Sequence, residues 1–154
     1  MSETLYVIDV FSLVFQVFHA IPAMTSPTGQ PTNAVFGFAR DVLNLLENKQ
    51  PTYLVCAMDS PEKGVREDIY PEYKANRSEP PEDLVPQFPL MRCAVRAFGL
   101  MPIEQDRYEA DDLIATYARQ ARERGADVLI ISADKDLMQL IQPGVAMFDP
   151  ASGE

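Results

Sequence analysis

The sequence predicts an α/β fold, a three-layer sandwich in which helices cover both faces of a mostly parallel central sheet. Two observations carry this expectation. Short apolar runs alternate with longer segments of helical periodicity along the whole chain, the pattern of strands joined by crossover helices. The runs are also continuous, as in LYVID at 5–9 and DVLIIS at 127–132. Continuous apolarity suits strands buried on both faces, as parallel strands are. At 154 residues the chain fits one domain and can bury a core.

Each element can be justified in turn. Residues 5–9 form the first strand and end on Asp9. Residues 12–20 suit a short helix. Residues 25–32 read as a loop punctuated by Pro27, Gly29 and Pro31. Asn33 is expected to N-cap the next helix, in which Val35, Phe38, Val42, Leu45 and Leu46 recur at helical spacing. Residues 52–58 (TYLVCAM) form a second buried strand, followed by Asp59. Residues 60–82 are polar, with four prolines and mixed charge, and read as a mobile excursion from the core. Residues 83–98 are helical, with Pro86 and Pro89 bending the start. Residues 101–104 suit a short strand. Residues 109–124 form an amphipathic helix that Gly125 ends as a C′ residue. The strand at 127–132 is followed by Ala133-Asp134-Lys135-Asp136, a short helix at 137–141 and a last strand, Val145–Phe148.

Cys56 and Cys93 lie far apart and match no metal or redox spacing, so both are expected to be buried free thiols in a reducing compartment. The N-terminus is acidic and Asp9 interrupts the first apolar run, which fits neither a signal peptide nor a membrane span. A cytoplasmic protein without a membrane partner is expected. The net charge of −10 argues at first against a nucleic-acid partner, because phosphate binding favours a basic surface.

The acids are not evenly spread. In open α/β sheets ligands bind beyond the carboxyl ends of the strands; Asp9 ends the first predicted strand, Asp59 comes at the end of the second, and Asp134 and Asp136 follow the strand at 127–132. The helix at 109–124 begins on the same edge with Glu109, Asp111 and Asp112. Helix N-termini favour acids by about 0.3–1 kcal/mol each, and single acids can cap helices or start turns. Seven converging carboxylates need a counter-charge, and the acidic motifs contain only Lys135 as a base. With no His/Cys set, hard divalent ions such as magnesium or manganese are expected. Seven ligands suit a pair of ions better than one. Setting the seven aside leaves 16 acids against 13 Lys plus Arg, so the negative total is largely a metal site and is compatible with a phosphate-bearing partner.

Six motifs, in order, resemble the N-terminal part of the bacterial 5′-3′ exonuclease domain of DNA polymerase I, a PIN-like relative of the flap endonucleases. They are Val7-Ile8-Asp9, the run TNAVFGF from Thr32, Met58-Asp59, Arg66 with YPEYKANR from Tyr70, Tyr108-Glu109-Ala110-Asp111-Asp112, and Ala133-Asp134-Lys135-Asp136-Leu137. The resemblance implies a metal-dependent, structure-specific 5′ nuclease acting on DNA with a free 5′ end or flap, in replication and repair. It assigns metal binding to Asp9, Asp59, Glu109, Asp111, Asp112, Asp134 and Asp136. It sets Arg66, Lys74 and Arg77 at the foot of an arch spanning 60–82, with Lys74 and Arg66 in catalysis and those three plus Thr32 and Asn33 in DNA binding. On composition alone the basic set reads as a solvated face, because Glu62, Glu67, Asp68 and Glu72 lie among it. Tyr70 and Tyr73 are read as packing residues, with base stacking as the alternative. His19 is read as packed.

Two positions depart from the family pattern: Val10 replaces a glycine and Gln16 an arginine. Family members continue into two more metal-binding aspartates and a helix–three-turn–helix half. The sequence here stops at Glu154, so a polymerase or C-terminal nuclease segment is an expected partner. Two rival readings are a metal- and DNA-binding fragment of little autonomous activity, and a phospho-acceptor signalling domain, which also gathers acids and magnesium at strand ends.

Overall fold

The computed structural model describes residues 2–61, 64–73 and 78–153. Its strands are β1 (Thr4–Asp9), β2 (Tyr53–Ala57), β3 (Met101–Ile103), β4 (Asp127–Ile131) and β5 (Val145–Phe148). Among the described residues they form one all-parallel sheet in the order β3-β2-β1-β4-β5. The helices are α1 (Val10–Ala20), α2 (Asn33–Lys49), α3 (Val65–Ile69), α4 (Phe88–Ala97) and α5 (Ala110–Glu123).

Strand parity decides what faces what, because successive side chains point to opposite sides of a sheet. Val7 is in register with Val55 of β2 and Ile130 of β4. These three join Leu5, Ala57 and Val128 in the core beneath α5. Ile8, Cys56 and Ile131 face the other way, into the core with Val14 of α1, Phe38 of α2 and Met91 of α4. Asp9, two residues beyond Val7, therefore belongs to the α5 side. The order of strands reverses at β1, with β2 on one flank and β4 on the other. That is the topological switch point where such sheets bind ligands.

Several local expectations are corrected. The first helix starts at Val10, with Asp9 as its N-cap. Asn33 is the first residue of α2 rather than its cap, and Thr32 precedes it without a side-chain bond to the helix. Gln87, fully buried, does the capping from a distance: its Oε1 accepts the Ala34 and Val35 N–H groups at 2.8 and 3.1 Å. Its Nε2 donates to Asn33 Oδ1 and to the Asp83 carbonyl. Residues 83–98 split into a 3-10 segment (Val85–Gln87) and α4, because Pro86 and Pro89 occupy the first turn of each, where no N–H is needed. The short helix expected at 137–141 is a 3-10 segment, Lys135–Leu140. Gly125 does end α5 with φ +84°. Cys56 is buried as expected, but Cys93 is exposed on the outer face of α4.

Gly37 sets how closely α1 and α2 pack. A Cβ there would lie 2.7 Å from Val17 Cβ and 2.6 Å from Ile21 Cδ1, so only glycine admits this contact.

Candidate metal centre

Each acid reaches the carboxyl edge of the sheet by its own route. Asp9 ends β1 and is 5% exposed. Its Oδ2 accepts the Ser132 hydroxyl at 2.9 Å and its Oδ1 faces the Ser12 N–H at 3.5 Å. Burial pushes the Asp9 carboxyl up to about 7; the Ser132 bond opposes the rise, and the neighbouring Asp111 and Asp59 charges add to it. Asp59 follows β2 and accepts the Ala110 N–H at 2.6 Å, which docks the start of α5 onto the end of β2. Asp111 lies in the first turn of α5. Asp134 follows β4 and caps the 3-10 segment, accepting the Asp136 N–H at 2.9 Å.

Asp9, Asp111 and Asp134 each offer a carboxylate oxygen within 4.8 Å of the other two. Asp59, Glu109 and Asp136 line the same cleft, of about 440 Å³, which Phe11, Phe15, Phe88 and Tyr73 also line. Six of the seven predicted acids thus share one cavity. Asp112 does not. It turns to Arg66, which donates from Nη1 and Nη2 to its two oxygens at 2.8 and 2.7 Å, and from Nη1 to Glu109 Oε2 at 2.8 Å. Asp112 Oδ2 also accepts the Glu109 N–H. The counter-charge missing from the acidic motifs is partly supplied by this arginine, brought in by α3.

The other expected site residues divide. Lys74 and Arg77 lie outside the described residues. Asn33 is 4% exposed, and its amide donates to the Phe18 and Ile21 carbonyls where α1 ends. Neither it nor Thr32 lines the acidic cleft. Tyr70 is exposed rather than packed, whereas the Tyr73 hydroxyl reaches Glu109 Oε2 at 3.3 Å. His19 is exposed, edge-on to Phe18. Val10 is fully buried in the core. Gln16 donates to Asp149 at 2.9 Å, and its buried Oε1 has no partner among the described residues.

Ser12, Ser132 and Asp149 escaped the sequence reading. Ser132 could have been found, since Ile8 pairs with Ile131 and the next pair along is Asp9 beside Ser132. The anchorage of α3 had no such signal. It rests on Arg107, a non-glycine residue at φ +70°, whose carbonyl accepts the Val65 N–H and whose guanidinium pairs with Asp68.

The donor set fits a hard divalent cation. Among the described residues the cluster is all carboxylate, contributed by three separate elements, and its innermost member is a buried acid whose charge is costly without a cation beside it.

Residues 4–154 match the family described as "5′-3′ exonuclease, N-terminal resolvase-like domain". The chain is 50% identical over 156 residues to a DNA polymerase I of Rhizobium leguminosarum, covering 96% of this chain and 15% of that protein. It is 39% identical to a 5′-3′ exonuclease of Aquifex aeolicus, covering 99% of this chain and 53% of the relative. The chain therefore spans about half or less of these relatives. In fold it is similar to a bacteriophage T5 5′-exonuclease with bound zinc (TM-score 0.73, 18% identity, 99% of this chain and 57% of that one). It is also similar to a T5 flap endonuclease in a complex with DNA and metal ions (TM-score 0.72, 19% identity, the same coverage). The expected PIN-like three-layer α/β architecture is borne out. Among the described residues no helix is long and apolar enough to cross a membrane.

Proposed function

The chain belongs to the 5′-3′ exonuclease N-terminal domain family, and from that premise we propose that it is the metal-dependent core of a structure-specific 5′ nuclease. Its substrate would be DNA, or an RNA primer on DNA, with a free 5′ end or flap, and its setting cytoplasmic replication and repair. One observation carries the reading: the oxygens of Asp9, Asp111 and Asp134 lie within 4.8 Å of one another although their residues are far apart in sequence. The phospho-acceptor alternative is set aside by the family.

Asp9, Asp111 and Asp134 would hold a divalent cation, with Mg²⁺ or Mn²⁺ the fitting choices. Asp59, Glu109 and Asp136, along the same cleft, are suited to a second. Bound there, such ions supply charge stabilisation to a phosphodiester and lower the pKa of water beside it. Asp59 keeps α5 and its acids aimed at the cleft through the Ala110 N–H. Arg66 and Asp112 hold Glu109 and the start of α5 in place; these bonds take three of the five N–H donors of the Arg66 guanidinium, so the same side chain could also meet a substrate phosphate. Lys74 and Arg77 would meet the phosphates of the 5′ strand, with Thr32, half-buried just before α2, as a further contact and the buried Asn33 supporting it. A polymerase or C-terminal nuclease segment would extend the DNA-binding surface.

The test is a 5′-flap duplex incubated with the chain, with and without Mn²⁺, alongside Asp111→Asn. Asp111 is chosen because Asp59 also anchors α5. Cleavage should require Mn²⁺ and fall about 100-fold or more in the variant. Cutting that persists without metal, or in Asp111→Asn at the native rate, overturns the proposal.

A further inference from the structure

We propose that Ser132 is the positioning residue of the acidic trio: its single hydroxyl orients both Asp9 and Asp134 toward a divalent cation. This rests on the metal-centre reading above. Ser132 is 2% exposed and sits just past β4, beside Asp9 on the neighbouring strand. Its Oγ donates to Asp9 Oδ2 at 2.9 Å and accepts the Asp134 N–H at 3.0 Å.

With a cation bound and Asp9 ionised, the direction of both bonds is forced. A backbone N–H can only donate, so the Asp134 bond uses a lone pair of the hydroxyl. An ionised Asp9 can only accept, so the hydroxyl proton goes to Oδ2. One oxygen thereby sets the carboxylate plane of the first ligand and the backbone position of the third. The weld lies between β1 and β4, the strand pair flanking the switch point, where a small slip would separate the oxygens. Ser12 backs the arrangement from α1: its Oγ accepts the Ala133 N–H at 3.1 Å, which pins the residue between Ser132 and Asp134. Groups that hydrogen-bond to metal ligands orient them, and losing one costs about 10–100-fold in metal affinity.

A purely structural serine would be felt in stability alone. The discriminating measurement is the affinity of the chain for Mn²⁺, followed by the electron paramagnetic resonance of the free ion, with thermal unfolding recorded for every protein. Ser132→Ala should weaken Mn²⁺ binding about tenfold or more, and Ser132→Thr, which restores a hydroxyl, should recover it. Should Ser132→Ala fail to fold, Ser132→Cys keeps a side chain of similar length without the strong donor and is expected to show the same loss. Native affinity in Ser132→Ala or Ser132→Cys, or a threonine variant as impaired as the alanine one, overturns the assignment. Asp9→Asn and Asp111→Asn separate the two levels of argument. If both still bind Mn²⁺ as the native chain does, the metal-centre reading fails and Ser132 falls with it. If both lose the ion while Ser132→Ala keeps it, only the role of Ser132 is refuted.

Discussion

At Asp9 a single side chain carries opposite demands for stability and for function. Its carboxyl titrates near 7 in the fold against an ordinary value of 3.8. Without metal the native state therefore holds a proton that the unfolded chain has released, from about pH 4 up to about pH 7. Stability must fall as pH rises through that window, since each unit of difference is worth about 1.4 kcal/mol. Other acids titrate there too, so the informative quantity is the difference from Asp9→Asn. That variant keeps the shape and an oxygen for the Ser132 hydroxyl but cannot ionise. We expect metal-free Asp9→Asn to be more stable than the native chain at pH 8, by a few kcal/mol, and equal to it near pH 4. Denaturant melts at the two pH values check this, and parallel pH profiles for the two proteins would contradict it.

Elements meet here through side chains that no local pattern announces. Gln87 satisfies two N–H groups at the start of α2, the Asn33 amide and the Asp83 carbonyl at once. Removing it strands several buried polar groups, each costing about 1–3 kcal/mol. Gln87→Ala should thus lose about 3 kcal/mol or more, and urea melts showing a loss under 1 kcal/mol would refute the capping role. Gly37 governs the α1–α2 contact. Gly37→Ala gains about 1 kcal/mol of helix propensity, but its methyl meets the stiff Cβ of Val17 at 2.7 Å, and overpacking costs about 1–3 kcal/mol. The balance should be destabilising, as a lowered midpoint in the same melts would show. These junctions mark the limit of what was legible. Continuous apolar runs revealed the strands, and acids following them revealed the rim, because both signals are local. Gln87 meets Asn33 across 54 residues and Arg66 meets Asp112 across 46, and a single sequence carries no trace of such pairings. Asn33 misled for the same reason: its side chain suits a cap, yet the carbonyls it bonds lie at the end of α1.

Across the whole molecule, the same acids that give the chain its net charge of −10 are gathered where they repel, and the fold tolerates them by three separate means. Asp112 and Glu109 are paired with Arg66, Asp59 is satisfied by the start of α5, and Asp9 retains its proton to about pH 7. A divalent cation would relieve what these leave over, and only the folded chain can present it with Asp9, Asp111 and Asp134 together. Binding to the native state alone stabilises by about 2.7 kcal/mol at a hundred times the dissociation constant, which is roughly 5–10 °C in melting temperature for a domain of this size. The effect should also depend on pH in a definite sense. The ion must displace the Asp9 proton, so stabilisation by Mn²⁺ should grow between pH 5 and pH 8, where metal-free stability declines. Thermal melts in Mn²⁺ against a chelator, at both pH values, test the sign as well as the size. Asp111→Asn should lose most of the gain at either pH. An equal shift in that variant would mean that Mn²⁺ binds elsewhere on an acidic surface, and a shift that shrinks with rising pH would mean that Asp9 is not a ligand.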